Sequence, residues 1–131
     1  MPTALLIKNG RIIDPGKEID MKGSRLVRDK CIAWLGDGEP PDEDYIVIDA
    51  EGLIVCPGFI DMHCHLRQPG EEDKETIATG TRAAARGGFT TVCCMPNTSP
   101  PLDSADMIKW VRTLASTDGV IRVMPIGCVT V

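Results

Sequence analysis

From Gly58 to Val131 the sequence alternates between two patterns, and that alternation restricts the fold more than anything else in the chain. Gly58 to Leu66 and Phe89 to Met95 are nearly continuous apolar runs, and the second carries the β-branched Thr90, Thr91 and Val92. Val120 to Val131 is a third such run, broken near Pro125 to Gly127. These read as strands buried on both faces, as in a parallel sheet. The segments between them have a different period. Lys74 to Arg86 sets Ile77, Thr81, Ala84 and Ala85 at helical spacing and stops at Gly87-Gly88. After the Pro-rich loop from Pro96 to Leu102, Asp103 or Ser104 caps a second helix. Its apolar face is Met107, Trp110, Val111 and Leu114, and it ends at Thr117 to Gly119. Right-handed crossovers make the three strands of such a βαβαβ run parallel. A (β/α)8 barrel and an open doubly wound sheet both begin this way, and periodicity does not choose between them.

The segment before Gly58 has no helical period. Leu5 to Lys8 and Arg11 to Asp14 flank Asn9-Gly10, which predicts a two-residue hairpin turn with φ > 0 at both positions. Further strands are predicted at Ser24 to Arg28, Cys31 to Leu35, Tyr45 to Asp49 and Leu53 to Cys56. Gly36 to Asp44, with its prolines and acids, is an exposed loop. The expected organisation is a small β-sandwich or open β-roll over residues 1–56, followed by an α/β region over 57–131.

Composition excludes several classes. Charged residues make up 25% and apolar residues 43%, so a packed core is expected rather than disorder. Net charge is −5 without a basic run, which argues against nucleic-acid binding. No stretch approaches the roughly 20 apolar residues of a membrane span. The N-terminus lacks a basic segment ahead of its short apolar stretch, so no secretion signal is read there. The six cysteines form no C-x-x-C pair, and several lie in apolar runs. Those in apolar runs read as small hydrophobes, and the absence of a disulfide pattern reads as a reducing cytoplasm.

The chemistry concentrates in Asp61-Met62-His63-Cys64-His65-Leu66-Arg67, which holds both histidines of the chain. Side chains two apart on a strand share a face, about 6.6 Å apart along it. Two imidazoles so placed can converge on one metal. H-x-H alone is frequent by chance. Here Asp61 and Arg67 are predicted on the same face, and so many buried polar groups are costly unless something pairs with them. Cys64, one residue out of phase, should face away. Arg67 is either a surface ion pair or a bidentate carboxylate clamp. Asn97, after the second strand, reads most simply as a turn residue. Gly87-Gly88 is a helix stop rather than a phosphate loop. Met95 and Trp110 read as core.

At these residues the sequence resembles a known family. Pro57-Gly58-Phe59-Ile60-Asp61-Met62-His63-Cys64-His65-Leu66-Arg67-Gln68-Pro69-Gly70 resembles the first barrel strand of bacterial dihydroorotases. Lys74-Glu75-Thr76, Ala83 to Val92, Met95-Pro96-Asn97-Thr98 and Pro125-Ile126-Gly127 continue the likeness. The opening Ile7 to Pro15 resembles the small β-domain that precedes the barrel across this superfamily of cyclic amidohydrolases. Gln68 stands where the family often has Glu, and Cys64 where it often has Val.

The resemblance implies an α/β fold: an N-terminal small β-sandwich, then the first βαβαβ portion of a (β/α)8 TIM barrel. It implies that His63 and His65 are ligands of the more buried of one or two zinc ions. Arg67 and Asn97 would hold a carboxylate of a small cyclic amide. The reaction would be the reversible, zinc-dependent opening of dihydroorotate to N-carbamoyl-aspartate in de novo pyrimidine biosynthesis. Such a barrel needs about 250 residues. The chain is therefore expected to be part of a longer product, with no proton-transferring catalytic residue of its own. Self-association or association with aspartate transcarbamoylase is the expected partnership. Rival readings are a hydantoinase or dihydropyrimidinase, an allantoinase, and a non-catalytic module acting by association. Relatives of that last kind tend to lose the metal histidines, and both are present here.

Overall fold

A computed structural model describes residues 4–41 and 44–130. Met1 to Thr3, Asp42, Glu43 and Val131 lie outside the described residues, and with them part of the predicted 36–44 loop and the end of the third predicted strand. The chain divides into two compact units between Pro57 and Gly58.

In the first unit, β1 (Ala4–Asp14) is central. It pairs antiparallel with β2 (Ile19–Arg28), which pairs antiparallel with β3 (Cys31–Gly36). The other edge of β1 is shared by two parallel partners. β4 (Tyr45–Asp49) takes Ala4 to Lys8, and β5 (Ile54–Val55) takes Arg11 and Ile12. The described residues of this unit form one mixed five-stranded sheet, where a small β-sandwich or an open β-roll is expected. Leu6 and Leu26 are buried on it against Trp34 and Tyr45.

The Asn9-Gly10 hairpin is not formed: β1 runs straight through it. A type I′ turn needs positive φ at two positions. Asn9 has φ 64°, while Gly10 is not in the left-handed region. One left-handed residue makes a bulge, and the β1–β2 register shifts between Ile7 and Gly10. Gly10 serves close packing instead, because a Cβ there would lie 2.6 Å from Val55 Cγ2. The tight hairpin falls at Asp29-Lys30, with φ 50° and 64°.

In the second unit, β6 (Phe59–Cys64), β7 (Phe89–Cys94) and β8 (Arg122–Pro125) form a parallel sheet in that order. α1 (Ile77–Arg86) connects the first two and α2 (Ala105–Asp118) the last two. α1 begins at Ile77 rather than at Lys74 because Thr76 is its cap. Thr76 and Thr79 satisfy each other's backbone N–H groups in a capping box. Ser104 caps α2, accepting from Met107 N at 3.4 Å.

One core joins sheet and helices: Leu66, Ile77, Val92, Cys94, Leu102, Val111, Ala115 and Val123. Ile77, Leu102 and Val111 are fully buried, each contributing roughly 1.5–3 kcal/mol. Trp110, predicted in this core, is 43% exposed; Val111 and Ala115 form the buried line of α2. One face of the sheet is thereby covered.

Candidate metal and substrate site

The site begins with a register fault in β6. Ile60 pairs with Thr91 and Asp61 with Val92, but the next pair is Cys64 with Cys94. Three steps along β6 match two along β7, so β6 carries one extra residue. Paired neighbours project to the same face of a sheet. Val92 and Cys94 are both buried in the helix-covered core, which puts Asp61 and Cys64 on that side. The inserted residue thus brings Asp61 and Cys64 to one side despite their odd spacing. Asp61 borders a cavity of about 200 Å³ together with Cys64, His65, Leu66, Gly80 and Ala84, towards α1. Its Oδ1 accepts from His63 N at 3.0 Å, which braces the bulge.

Cys64 and Leu66 pack into the core, and His63 and His65 fall on the opposite parity. Both are exposed, and His65 lies one residue beyond the end of β6. Their ring centroids are 5.4 Å apart, with ring planes at 67°. A metal on a ring nitrogen at about 2.0–2.1 Å sits about 3.2 Å from that ring's centroid. Centroids 5.4 Å apart then subtend about 115° at a shared metal, near the tetrahedral angle. That separation leaves room for both rings to reach one metal ion. Among the described residues no third His, Cys, Asp or Glu completes a metal-binding group. The neighbouring thiols are no substitute. Burial pushes Cys64 and Cys94 up to about 11, so neither offers a thiolate at neutral pH.

Asn97 and Arg67 reach this region from two loops. Asn97 follows β7 and is exposed; its Oδ1 lies 2.9 Å from His65 Nδ1. Arg67 is a loop residue with φ 62°. Non-glycine residues seldom hold that conformation. Its Nη1 donates to Glu71 Oε2 at 3.2 Å, and the other guanidinium N–H groups have no protein partner among the described residues. Glu71 also pairs with Lys74, and the ammonium together with Arg67 holds its carboxyl below the usual range. Sequence reading passed over Glu71, although its spacing of four from Arg67 was the available signal.

The two loops are joined. Ser99 N donates to Pro69 O at 3.0 Å, and Met95 N donates to Cys64 O at 2.9 Å. Gly70 lies so close that a Cβ there would be 2.1 Å from Ser99 O. The structure thus brings His63, His65 and Asn97 together and sets Arg67 on the adjoining loop. His65 borders the cavity of about 200 Å³ that Asp61 also lines, while a hollow of about 650 Å³ along α2 contains none of the four. No helix among the described residues is long and apolar enough to cross a membrane.

Comparison with known proteins adds to this geometry. Residues 52–131 match the family model described as dihydro-orotase-like. The dihydroorotase of Citrifermentans bemidjiense is 52% identical over 126 residues, covering 96% of this chain and 30% of that protein. The dihydroorotase of Caldanaerobacter subterraneus subsp. tengcongensis is also 52% identical, covering 96% of this chain and 29% of that protein. Among solved structures, L-hydantoinase (dihydropyrimidinase) from Arthrobacter aurescens superposes with a TM-score of 0.82 at 26% identity, covering 94% of this chain and 27% of that one. The chain spans about 30% of the length of the curated relatives it matches.

Proposed function

The chain belongs to the dihydro-orotase-like family, and on that premise we propose that its protein opens and closes dihydroorotate, interconverting it with N-carbamoyl-aspartate in pyrimidine synthesis. The observation that carries the reading is the pair of exposed imidazoles with 5.4 Å between centroids, with Asn97 against one of them and Arg67 on the adjoining loop. His63 and His65 hold the metal, which is zinc. A bound zinc lowers the pKa of water towards about 7 and polarises a carbonyl.

The chain's own residues do the rest of what these 131 positions contribute. Asp61 fixes the backbone of His63 through the bulge. The free N–H groups of Arg67 and the amide of Asn97 hold the ring's carboxylate, with Glu71 orienting the guanidinium from its far side. The parallel sheet opens a (β/α)8 barrel, and catalytic groups of such barrels gather at the C-terminal strand ends. His65 and Asn97 stand at two of these ends, just past β6 and β7.

Hydantoinases are the competing class, given the Arthrobacter superposition. Their ring substrates are told apart from dihydroorotate by the carboxylate, so Arg67 decides. The test is zinc-dependent ring opening by the full-length gene product, assayed in parallel on dihydroorotate and hydantoin. Arg67→Ala is expected to lower kcat/KM for dihydroorotate by about 10²-fold or more, the loss of one charge-assisted pair, and to leave hydantoin turnover unaffected. Equal turnover of hydantoin by the unmodified protein would move the assignment to that class.

A further inference from the structure

We infer that Asn97 is a positioning residue for His65: its amide selects the imidazole tautomer that offers Nε2 to the metal. The inference rests on the proposed metal role of His65 but adds a function to Asn97 beyond holding a substrate carboxylate.

The geometry carries it. His65 Nδ1 and Asn97 Oδ1 are 2.9 Å apart, a hydrogen-bond distance. A carbonyl oxygen cannot donate, so Nδ1 must carry the proton. A neutral imidazole has one N–H, so the lone pair is then on Nε2. Free neutral histidine leans the other way, towards Nε2–H, and in that tautomer Nε2 cannot ligate. His63 has no side-chain hydrogen bond among the described residues, so the lock acts on one ring of the pair. A hydrogen-bond acceptor on the nitrogen that does not face the metal fixes the ring of a metal-binding histidine, and here a side-chain amide supplies it.

The backbone around Asn97 is built to hold that contact. Thr98 N donates to Pro96 O at 2.9 Å, Leu102 N donates to Pro96 O at 3.1 Å, and Ser99 N donates to Pro69 O at 3.0 Å. Asn97 is thus flanked on both sides by fixed peptide groups, in a loop fastened to the one that follows His65. The same orientation of the amide has a second consequence. With Oδ1 on the ring, Nδ2 is turned away from His65 and becomes a donor towards whatever anion approaches. One side chain therefore orients a ligand with its oxygen and presents a donor with its nitrogen.

The test reads the tautomer directly. Long-range 1H–15N correlation spectra of the metal-free protein at pH 8 should show His65 as Nδ1–H, with His63 as an internal reference. Asn97→Asp keeps the acceptor oxygen and should keep His65 as Nδ1–H. Asn97→Ala should return it towards Nε2–H. Titration with zinc alone should follow the same order. Affinity is retained within about threefold in Asn97→Asp and falls about 10–100-fold in Asn97→Ala, the usual range for losing such a partner. Nε2–H at His65 in the unmodified protein overturns the inference by itself, whether or not any variant folds. So does an unchanged tautomer in Asn97→Ala. Because the spectrum needs neither metal nor substrate, a failed dihydroorotate assay would leave this result standing on its own.

Discussion

Cys94 lies in the core beneath the covered face of the sheet, where burial raises its thiol from 9.0 to about 11. A native pKa above the unfolded value means that the folded state favours the protonated form. Its contribution to stability is complete below about pH 9 and is lost as pH rises from about 9 through 11. Urea midpoints are therefore expected to stay level up to pH 8.5 and to fall above pH 9, with a shallower fall in Cys94→Ala. At pH 8, iodoacetamide should modify the exposed Cys31 and Cys56 well before Cys94, as read by peptide mass spectrometry. Equal labelling would show that the thiol is not sequestered. Single residues differ in how far the sequence exposes their role. Spacing of two was enough to put His63 and His65 on one face. The bulge after Asp61 was not legible, because alternation assumes an unbroken register and nothing in Asp61-Met62-His63 announces an inserted residue. The His65–Asn97 contact joins positions 32 apart and depends on two loops meeting, which no local pattern encodes.

Elements and the links between them set the next two expectations. Thr81 is fully buried in α1. Its Oγ1 donates to Ile77 O at 2.6 Å and accepts from Val120 N at 3.3 Å, just ahead of β8. Thr81→Val keeps the shape and deletes both bonds, leaving Val120 N without its acceptor. The expected loss is about 1–3 kcal/mol by denaturant unfolding, and a loss under about 0.5 kcal/mol would mean that the Val120 contact is not stabilising. Gly70 has φ 97° and no room for a Cβ against Ser99 O. Gly70→Ala is strained twice over, by its backbone conformation and by a carbonyl that cannot rotate away. It should separate the loops that carry Arg67 and Asn97 and weaken zinc binding together with stability; a variant with wild-type zinc affinity would show that the loop junction does not hold the site. The α/β elements were legible because period and caps agree at Thr76 and Ser104. The Asn9-Gly10 hairpin failed because that dipeptide also suits a bulge, and the actual hairpin uses Asp29-Lys30, which composition does not favour for left-handed φ.

Across the second unit as a whole, helices cover one face of the three-stranded sheet and leave the other open. Parallel sheets are ordinarily covered on both faces. On the open face Ile60 pairs with Thr91, and Met124 pairs with Cys93, with Ile60 63% and Met124 50% exposed. β6 and β8 are the outer strands in the order β6-β7-β8, so each presents a row of backbone groups without a strand partner among the described residues. Exposed apolar side chains beside free strand edges favour pairing between chains. The 131-residue chain, produced as such, is therefore expected to bind a hydrophobic dye such as ANS and to self-associate at micromolar concentration, as followed by fluorescence and light scattering. Replacing both Ile60 and Met124 by Lys should suppress dye binding and association while leaving far-UV circular dichroism unchanged, since neither side chain belongs to the core around Ile77 and Val111. A monodisperse chain that ignores the dye would require the open face to be covered from within the 131 residues. In that case the exposure of the two histidines, and with it their access to metal from solution, would have to be reconsidered together.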